Sequence, residues 1–384
     1  MFKIRLVLAS AVCALTALGW QHASLPQPFA TPSASNGPKV IPPPDGAQLK
    51  VPSGFHVARY ATGFQRPRFM ALGPSGEILV SDAVTNGSVS IVSESGRKTL
   101  IGSLDRPYGL AFWKDYLYVA ETTSLKRYKY DAKTMTTGAG EEVVSMKGFD
   151  KGHITRTVLF NRKGDKMYLA VGSSGNVVTG DPEMRAAITR FNPDGTGEER
   201  FATGLRNPIG LRFYPGTDDL WAAVQERDGL GDDLVPDYFT EVRQGGFYGW
   251  PYAYLGPHPE PRIEEHHQDL IDRTIVPDVI LEPHAAVLDF LFYTGKQFPA
   301  EYRGGAFLAN HGSSNRAKRL GYSVTFIPFK NGKPSAPPRE FLSGFMLGPD
   351  RKEVWGRPVG LLQLPDGSLL LSEDGNKTIW RISY

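Results

Sequence analysis

Downstream of about Val51 the chain is a succession of short apolar runs broken by Gly, Pro, Asp and Asn, with no long stretch of helical period. Such runs predict β-strands, and the breaks between them predict tight turns. The runs also repeat one order. RPRFMALGPSGEILVSD at 66–82 is a turn, an apolar strand, a tight turn and a second strand, and that order returns in copies opening at Arg106, His153, Arg206, His284 and Arg357. More strand-like text follows the copies, such as Ser88–Val92, Ser124–Tyr130 and Ala187–Phe191.

Starts at 66, 106, 153, 206, 284 and 357 lie 40, 47, 53, 78 and 73 residues apart. A four-stranded propeller blade takes about 40 to 50 residues, so the longer gaps hold loop insertions. The pattern predicts an all-β fold, a six-bladed β-propeller with four-stranded antiparallel blades over residues 51–384. One blade cannot bury both of its faces, whereas blades stacked around an axis can. The first strand of each copy then lines the axis, and the residues at its start crowd one mouth. These are Arg66 and Arg68, Arg106, His153 and Arg156, Arg206 and Asn207, His284, and Arg357. Taken singly, such arginines can tie neighbouring blades together. Taken as a ring, like charges repel and ask for an anion.

Composition refines this picture. The chain has 384 residues with 42 Gly and 30 Pro, and its formal net charge is +3. No long basic run marks a nucleic-acid surface. Residues 1–23 read as a secretory signal, with a basic start at Lys3 and Arg5 and an apolar run from Leu6 to Trp20. That run is shorter than the ~20 residues that span a bilayer, so no stable membrane insertion is expected once the signal is removed. The single cysteine, Cys13, lies in this run, so the mature chain has no disulfide and is expected to be bacterial and periplasmic or secreted. Residues 24–50, rich in Pro, Ser and Ala, read as a linker or loosely ordered arm.

Two further stretches carry chemistry. Gln225 to Asp237, QERDGLGDDLVPD, sets carboxylates among glycines after a copy's second strand. Oxygen donors of that kind suit a hard cation such as Ca²⁺, although the helix-loop-helix spacing is missing and a solvated acidic turn is the alternative. His258, His266 and His267 fall in a Pro-rich insertion read as solvated.

The RNP at 206–208, the acidic loop and GGFYGWP at 245–251 together resemble the soluble quinoprotein sugar dehydrogenases. The branch most similar is the sorbosone dehydrogenase-like one, which includes fungal pyranose dehydrogenases. HITRTVLF, ERDGLGDDLVPDYFTEV, NHGSSNR and RPVGLLQLPDGSLLLSEDG fit the same branch, over about Val51 to Tyr384.

The resemblance implies a propeller that carries pyrroloquinoline quinone (PQQ) and Ca²⁺ on its axis and oxidises a sugar, either an aldose or a sorbosone-like dicarbonyl sugar. It implies His153 as general base during hydride transfer to the quinone C5, and Arg206 as the group that steadies the oxyanion. Asn207 and Arg357 match cofactor contacts, and Glu226, Arg227 and Asp228 match the calcium segment, largely through main-chain carbonyls. Arg66 and Arg106 join the cofactor set from the ring, and His311, Asn315 and Arg316 from NHGSSNR. Electrons then pass to an unidentified external acceptor.

Two departures qualify the match. Glucose-oxidising members carry an Asp before the catalytic His, where Gly152 stands here. Their cofactor lysine has no clear counterpart, leaving Asn315, Arg316 or Lys318 as substitutes. Substrate choice falls to loops around 173–185 and 252–283. Two other functions stay open: a calcium-dependent propeller lactonase, which needs side-chain carboxylates on the inner strands, and a non-catalytic carbohydrate-binding propeller.

Overall fold

The computed structural model describes residues 25–265 and 267–384. The expected signal at 1–23, Cys13 and His266 lie outside the described residues. Among the described residues six sheets of four or more antiparallel strands run around one axis. Blade one holds Pro67–Leu72, Ile78–Asp82, Thr85–Ser93 and Gly96–Asp105, in chain order from axis to rim. Blades two and three open with Leu110–Trp113 and Arg156–Phe160, and blade three gains a short parallel strand at Gly246–Phe247. Blades four, five and six open with Asn207–Phe213, Val287–Phe292 and Pro358–Gln363. The expected architecture is present.

The second strands explain why the apolar runs looked continuous rather than alternating. Ile78–Asp82, Met167–Val171, Ala306–Asn310 and Leu369–Glu373 are buried at every position. A strand covered on both faces by neighbouring blades needs no polar side. The turn before it is also repeated. Gly76 and Gly367 sit at φ +87° and +88° and donate to the carbonyls of Gly73 and Leu364, a backbone region in which glycine avoids the steric cost other residues meet.

Blade six is completed from both ends of the propeller. His56–Ala61 pairs antiparallel with Thr378–Ser383, so an N-terminal strand closes the ring against the last. The axis itself is stoppered. Phe69, Tyr108, Ile209, Leu288 and Val359, from five blades, pack as one buried cluster. The space above that stopper is the mouth.

Residues 25–50 carry little regular structure beyond Lys39–Val40, and they are docked. The Phe29 N–H donates to the Leu230 carbonyl and the Asn36 N–H to Ser314. The hydroxyls of Thr31 and Ser33 accept from the Asp232 and Gly231 amides, and Lys39–Val40 pairs with Glu353–Val354. The arm therefore joins the 228–233 loop to the 313–319 loop.

Candidate functional site

Above the stopper lies a cavity of about 330 Å³. Its floor includes Ile209 and Leu288, and its wall includes His153, Arg206, Asn207, Glu226, Asp228, His284, His311, Asn315, Arg357, Arg66 and Arg68. Most of the residues singled out in the sequence therefore converge: some sit at or just before a strand that lines the axis, and Glu226, Asp228, His311 and Asn315 lie in the loops that follow second strands at the same end. Arg106, Arg227, Arg316 and Lys318 are not among the lining residues.

The ring differs from a bare set of cations. Arg68 and Arg66 reach Asp374 at 2.5 and 3.4 Å, and His311 Nε2 lies 2.8 Å from the same carboxylate. Burial opposes the charge on Asp374, yet His311, Arg68 and Arg357 hold its carboxyl well below the usual carboxylate range. Burial lowers His311 to about 4, so at neutral pH it is a neutral donor to Asp374. Arg357 donates to the carbonyls of His311 and Gly312. Arg106 pairs with Asp105, and Arg316 with the Asp232 carbonyl and the Asp233 carboxylate. Interblade tying thus accounts for part of the arginine pattern.

His153 is fixed by the loop after Met167–Val171. Its Nδ1 lies 2.9 Å from the Ser173 carbonyl and 3.0 Å from Ser173 Oγ. The Ser173 hydroxyl donates to the Gly175 carbonyl, so both oxygens facing Nδ1 are acceptors. Nδ1 therefore carries the proton and Nε2 the lone pair. Burial first, and then the Arg206 guanidinium, push His153 down to about 3, so the imidazole is neutral at pH 7.

The turn beneath His153 rests on two arginines. Arg156, expected at the mouth, is fully buried, and its guanidinium donates to the carbonyls of Phe149, His153 and Thr155. Arg185 donates to Lys151 and Gly172. Space here is tight. A Cβ on Gly172 would come 2.3 Å from Asn207 Oδ1 and 2.7 Å from His153 Cβ. One on Gly152, at φ +72°, would come 2.2 Å from the Ser174 carbonyl oxygen. An Asp before His153 has no room in this backbone.

The acidic loop joins the second and third strands of blade four. His284 places Nδ1 3.0 Å from Asp228 and Nε2 3.1 Å from the Gly231 carbonyl. Burial works against its charge, but these two acceptors raise its pKa. Arg227 is buried and binds Glu226, Glu260 and the carbonyls of Pro251 and Ala253. Two buried acceptors in the wall have no protein partner, Asn207 Oδ1 and Glu226 Oε1. Among the described residues no group of three or more His, Cys, Asp or Glu is placed to hold a metal ion.

The residues fit a flat polyanion. Apolar side chains supply a floor, guanidinium groups of Arg66, Arg68, Arg206 and Arg357 border it, and Asn207, whose buried amide oxygen has no protein partner, stands in its wall.

A family model described as TrAA12-like matches residues 49–236 and 260–384. The chain belongs to the TrAA12-like family. An uncharacterised protein of Borreliella burgdorferi is 28% identical to this TrAA12-like chain, over 88% of it and 91% of the relative. The pyrroloquinoline quinone-dependent pyranose dehydrogenase of Coprinopsis cinerea is 25% identical over 87% of the chain. The chain spans about half, 54%, of that dehydrogenase's length. The calcium structure of the Trichoderma reesei family AA12 enzyme superposes with a TM-score of 0.75 at 21% identity, covering 91% of this chain and 99% of that one, which speaks for the fold.

Sequence reasoning missed Asn176, Asp374 and Arg185. Asp374 ends the sixth copy and could have been found as the acid opposite the Arg66 and Arg68 turn. Asn176 and Arg185 lie in a loop without periodicity and left no signal.

Proposed function

We propose that this protein is a PQQ-dependent sugar oxidoreductase whose cofactor sits in the axial cavity, with His153 as the catalytic base. The observation that carries the reading is the His153 tautomer: a neutral imidazole with its lone pair on Nε2, beside Arg206, in a cavity bordered by four arginines. The quinone, when bound, supplies the acceptor for the hydride that leaves the sugar carbon.

The remaining work belongs to the chain. His153 Nε2 takes the proton of the sugar hydroxyl, and the Ser173 carbonyl stabilises the resulting imidazolium through Nδ1–H. A base at about 3 is weak; a carboxylated ligand beside Arg206 offsets that cation and raises it. Arg206 would stabilise negative charge on the reduced quinone, and Asn207, Arg66, Arg68 and Arg357 are the wall residues that would hold it, the arginines through its carboxylates. His311 and Asn315 complete the wall. Arg106, Arg316 and Lys318 are left out of this set because each lies away from the cavity lining.

Calcium is part of the proposal in a restricted form. Glu226 Oε1 is unpartnered, and the Glu226 carbonyl accepts one bond, from Arg206, which leaves its second lone pair. Arg227 enters through its carbonyl alone. With Asp228 these oxygens fall short of the six to eight that Ca²⁺ takes, so the ligand and water complete the shell. The Coprinopsis relative's quinone dependence and the Trichoderma calcium structure support both groups.

A sugar substrate, an external electron acceptor, a secretory signal at 1–23 and a periplasmic or secreted location belong to the same proposal. No helix among the described residues is long and apolar enough to cross a membrane. The test is reconstitution of purified protein with PQQ and Ca²⁺, read by the quinone absorption spectrum and by dye reduction with a panel of aldoses and dicarbonyl sugars. An unchanged spectrum, or sugar-independent activity without quinone, would overturn it.

A further inference from the structure

Beyond Ser173, which holds His153, the loop from Gly172 to Arg185 meets the cavity wall at Asn176. Asn176 Nδ2 donates to the Asp228 carbonyl at 2.8 Å, and Asn176 Oδ1 accepts from the Asp228 N–H at 2.9 Å. The same Oδ1 accepts from Arg206 Nη2 at 3.0 Å. The Asn176 carbonyl accepts from Arg206 Nε at 3.2 Å and from Trp250 Nε1 at 3.0 Å. One residue thus holds the Nε–Nη2 edge of a guanidinium and both backbone polar groups of residue 228, while Arg206 Nη1 donates to the Glu226 carbonyl on the far side.

The amide orientation is dictated. Turned over, Asn176 would set its NH₂ against two donors and its oxygen against a carbonyl. Aspartate matches the shape but lacks the donor for the Asp228 carbonyl. Alanine lacks everything beyond Cβ. Asn176 is also solvent-exposed, so core packing does not account for five convergent hydrogen bonds, and its replacement leaves no core cavity. The three segments it joins come from different parts of the chain: the loop after Met167–Val171, the start of Asn207–Phe213 and the acidic loop.

We infer that Asn176 is a positioning residue that sets Arg206 and the Asp228 peptide relative to one another at the wall of the axial cavity. This rests on reading that cavity as the reaction centre. Arg206 is the cation nearest to His153 in effect, since after burial it is the largest influence lowering the imidazole. A residue that fixes Arg206 therefore governs both the seat of an anionic ligand and the protonation of the base.

The experiment compares wild type, Asn176→Ala and Asn176→Asp. In the ligand-free protein, hydrogen exchange at the Asp228 amide is expected to speed up at least about tenfold in Asn176→Ala, with global melting little changed. Titration with PQQ followed by fluorescence is expected to show about tenfold weaker binding. In Asn176→Asp a carboxylate beside Arg206 offsets the cation, so the acidic limb of the kcat/KM profile moves to higher pH.

Wild-type exchange, wild-type quinone affinity and an unmoved pH profile would overturn the inference. If wild type itself binds no quinone, the functional reading falls, and the exchange measurement alone still decides whether Asn176 holds the loop. Should Asn176→Ala not fold, Asn176→Asp, which preserves side-chain volume, decides by its pH profile.

Discussion

His153 shows how much one imidazole draws from its surroundings. Its tautomer follows from a serine whose hydroxyl donates elsewhere, and its neutrality follows from burial and a neighbouring guanidinium. We expect His153→Ala to lower turnover by about 10²–10⁴ while quinone binding, read by its absorption spectrum, persists. The same burial makes a pH statement. The folded group at about 3 lies below the ordinary value of 6.5, so between those limits the unfolded chain binds a proton that the folded chain does not. Its contribution to stability is thus complete above about pH 6.5 and is lost as pH falls toward 3. Melting temperatures from pH 4 to 8 should fall more steeply on the acid side for wild type than for His153→Asn. Gly152 is equally specific to its place: Gly152→Asp, which would copy the glucose-oxidising pattern, meets the Ser174 carbonyl and a positive φ. We expect lower stability and lower turnover from it, and no gain in glucose preference, measured by melting and by kcat/KM across sugars.

Among the elements, the arm at 25–50 departs most from its sequence character. Proline and serine content reads as a linker or loosely ordered arm, and in the fold Phe29, Thr31, Ser33 and Asn36 hydrogen-bond to both loops that border the mouth. Each such bond contributes roughly 0.5–1.5 kcal/mol, partly offset by the entropy of ordering the arm. Deleting residues 25–37 should therefore lower the melting temperature modestly and loosen quinone binding several-fold, with kcat at saturation less affected. Equal affinity in the truncated protein would show that the arm does not brace the loops. The strands were easier to anticipate. Leu220–Val224 of one second strand and Leu369–Leu371 of another are continuously apolar because blades cover both faces, and that burial is written directly in residue type.

At the scale of the molecule, closure matters most. His56–Ala61 adds to a sheet whose other strands come from the end of the chain, so the ring is shut by pairing residues more than three hundred positions apart. Ending the chain at Lys377 removes Thr378–Ser383, leaves an unpaired edge and uncovers the neighbouring blades. Such a protein should lose cooperative thermal unfolding and bind hydrophobic dye; a sharp transition near the wild-type midpoint would contradict this account of closure.

What residue order determined by itself was the repeat: six copies, their strands, and the positions that open each inner strand, since hydrophobic period and turn chemistry are local properties. It placed His153, Arg206, Asn207 and Arg357 at the mouth for the same reason, whereas His311 and Asn315 were reached through the family resemblance of NHGSSNR. The tertiary structure alone decided which charges pair. Asp374 with Arg68 and Asp228 with His284 join blades and loops distant in sequence, and the neutral Asn176 amide is brought to Arg206 in the same way. It also drew Arg156 inward to backbone carbonyls and kept Arg106 and Arg316 off the lining. A side chain's residue type records what it can bind; which partner lies within a few ångströms depends on how the blades close.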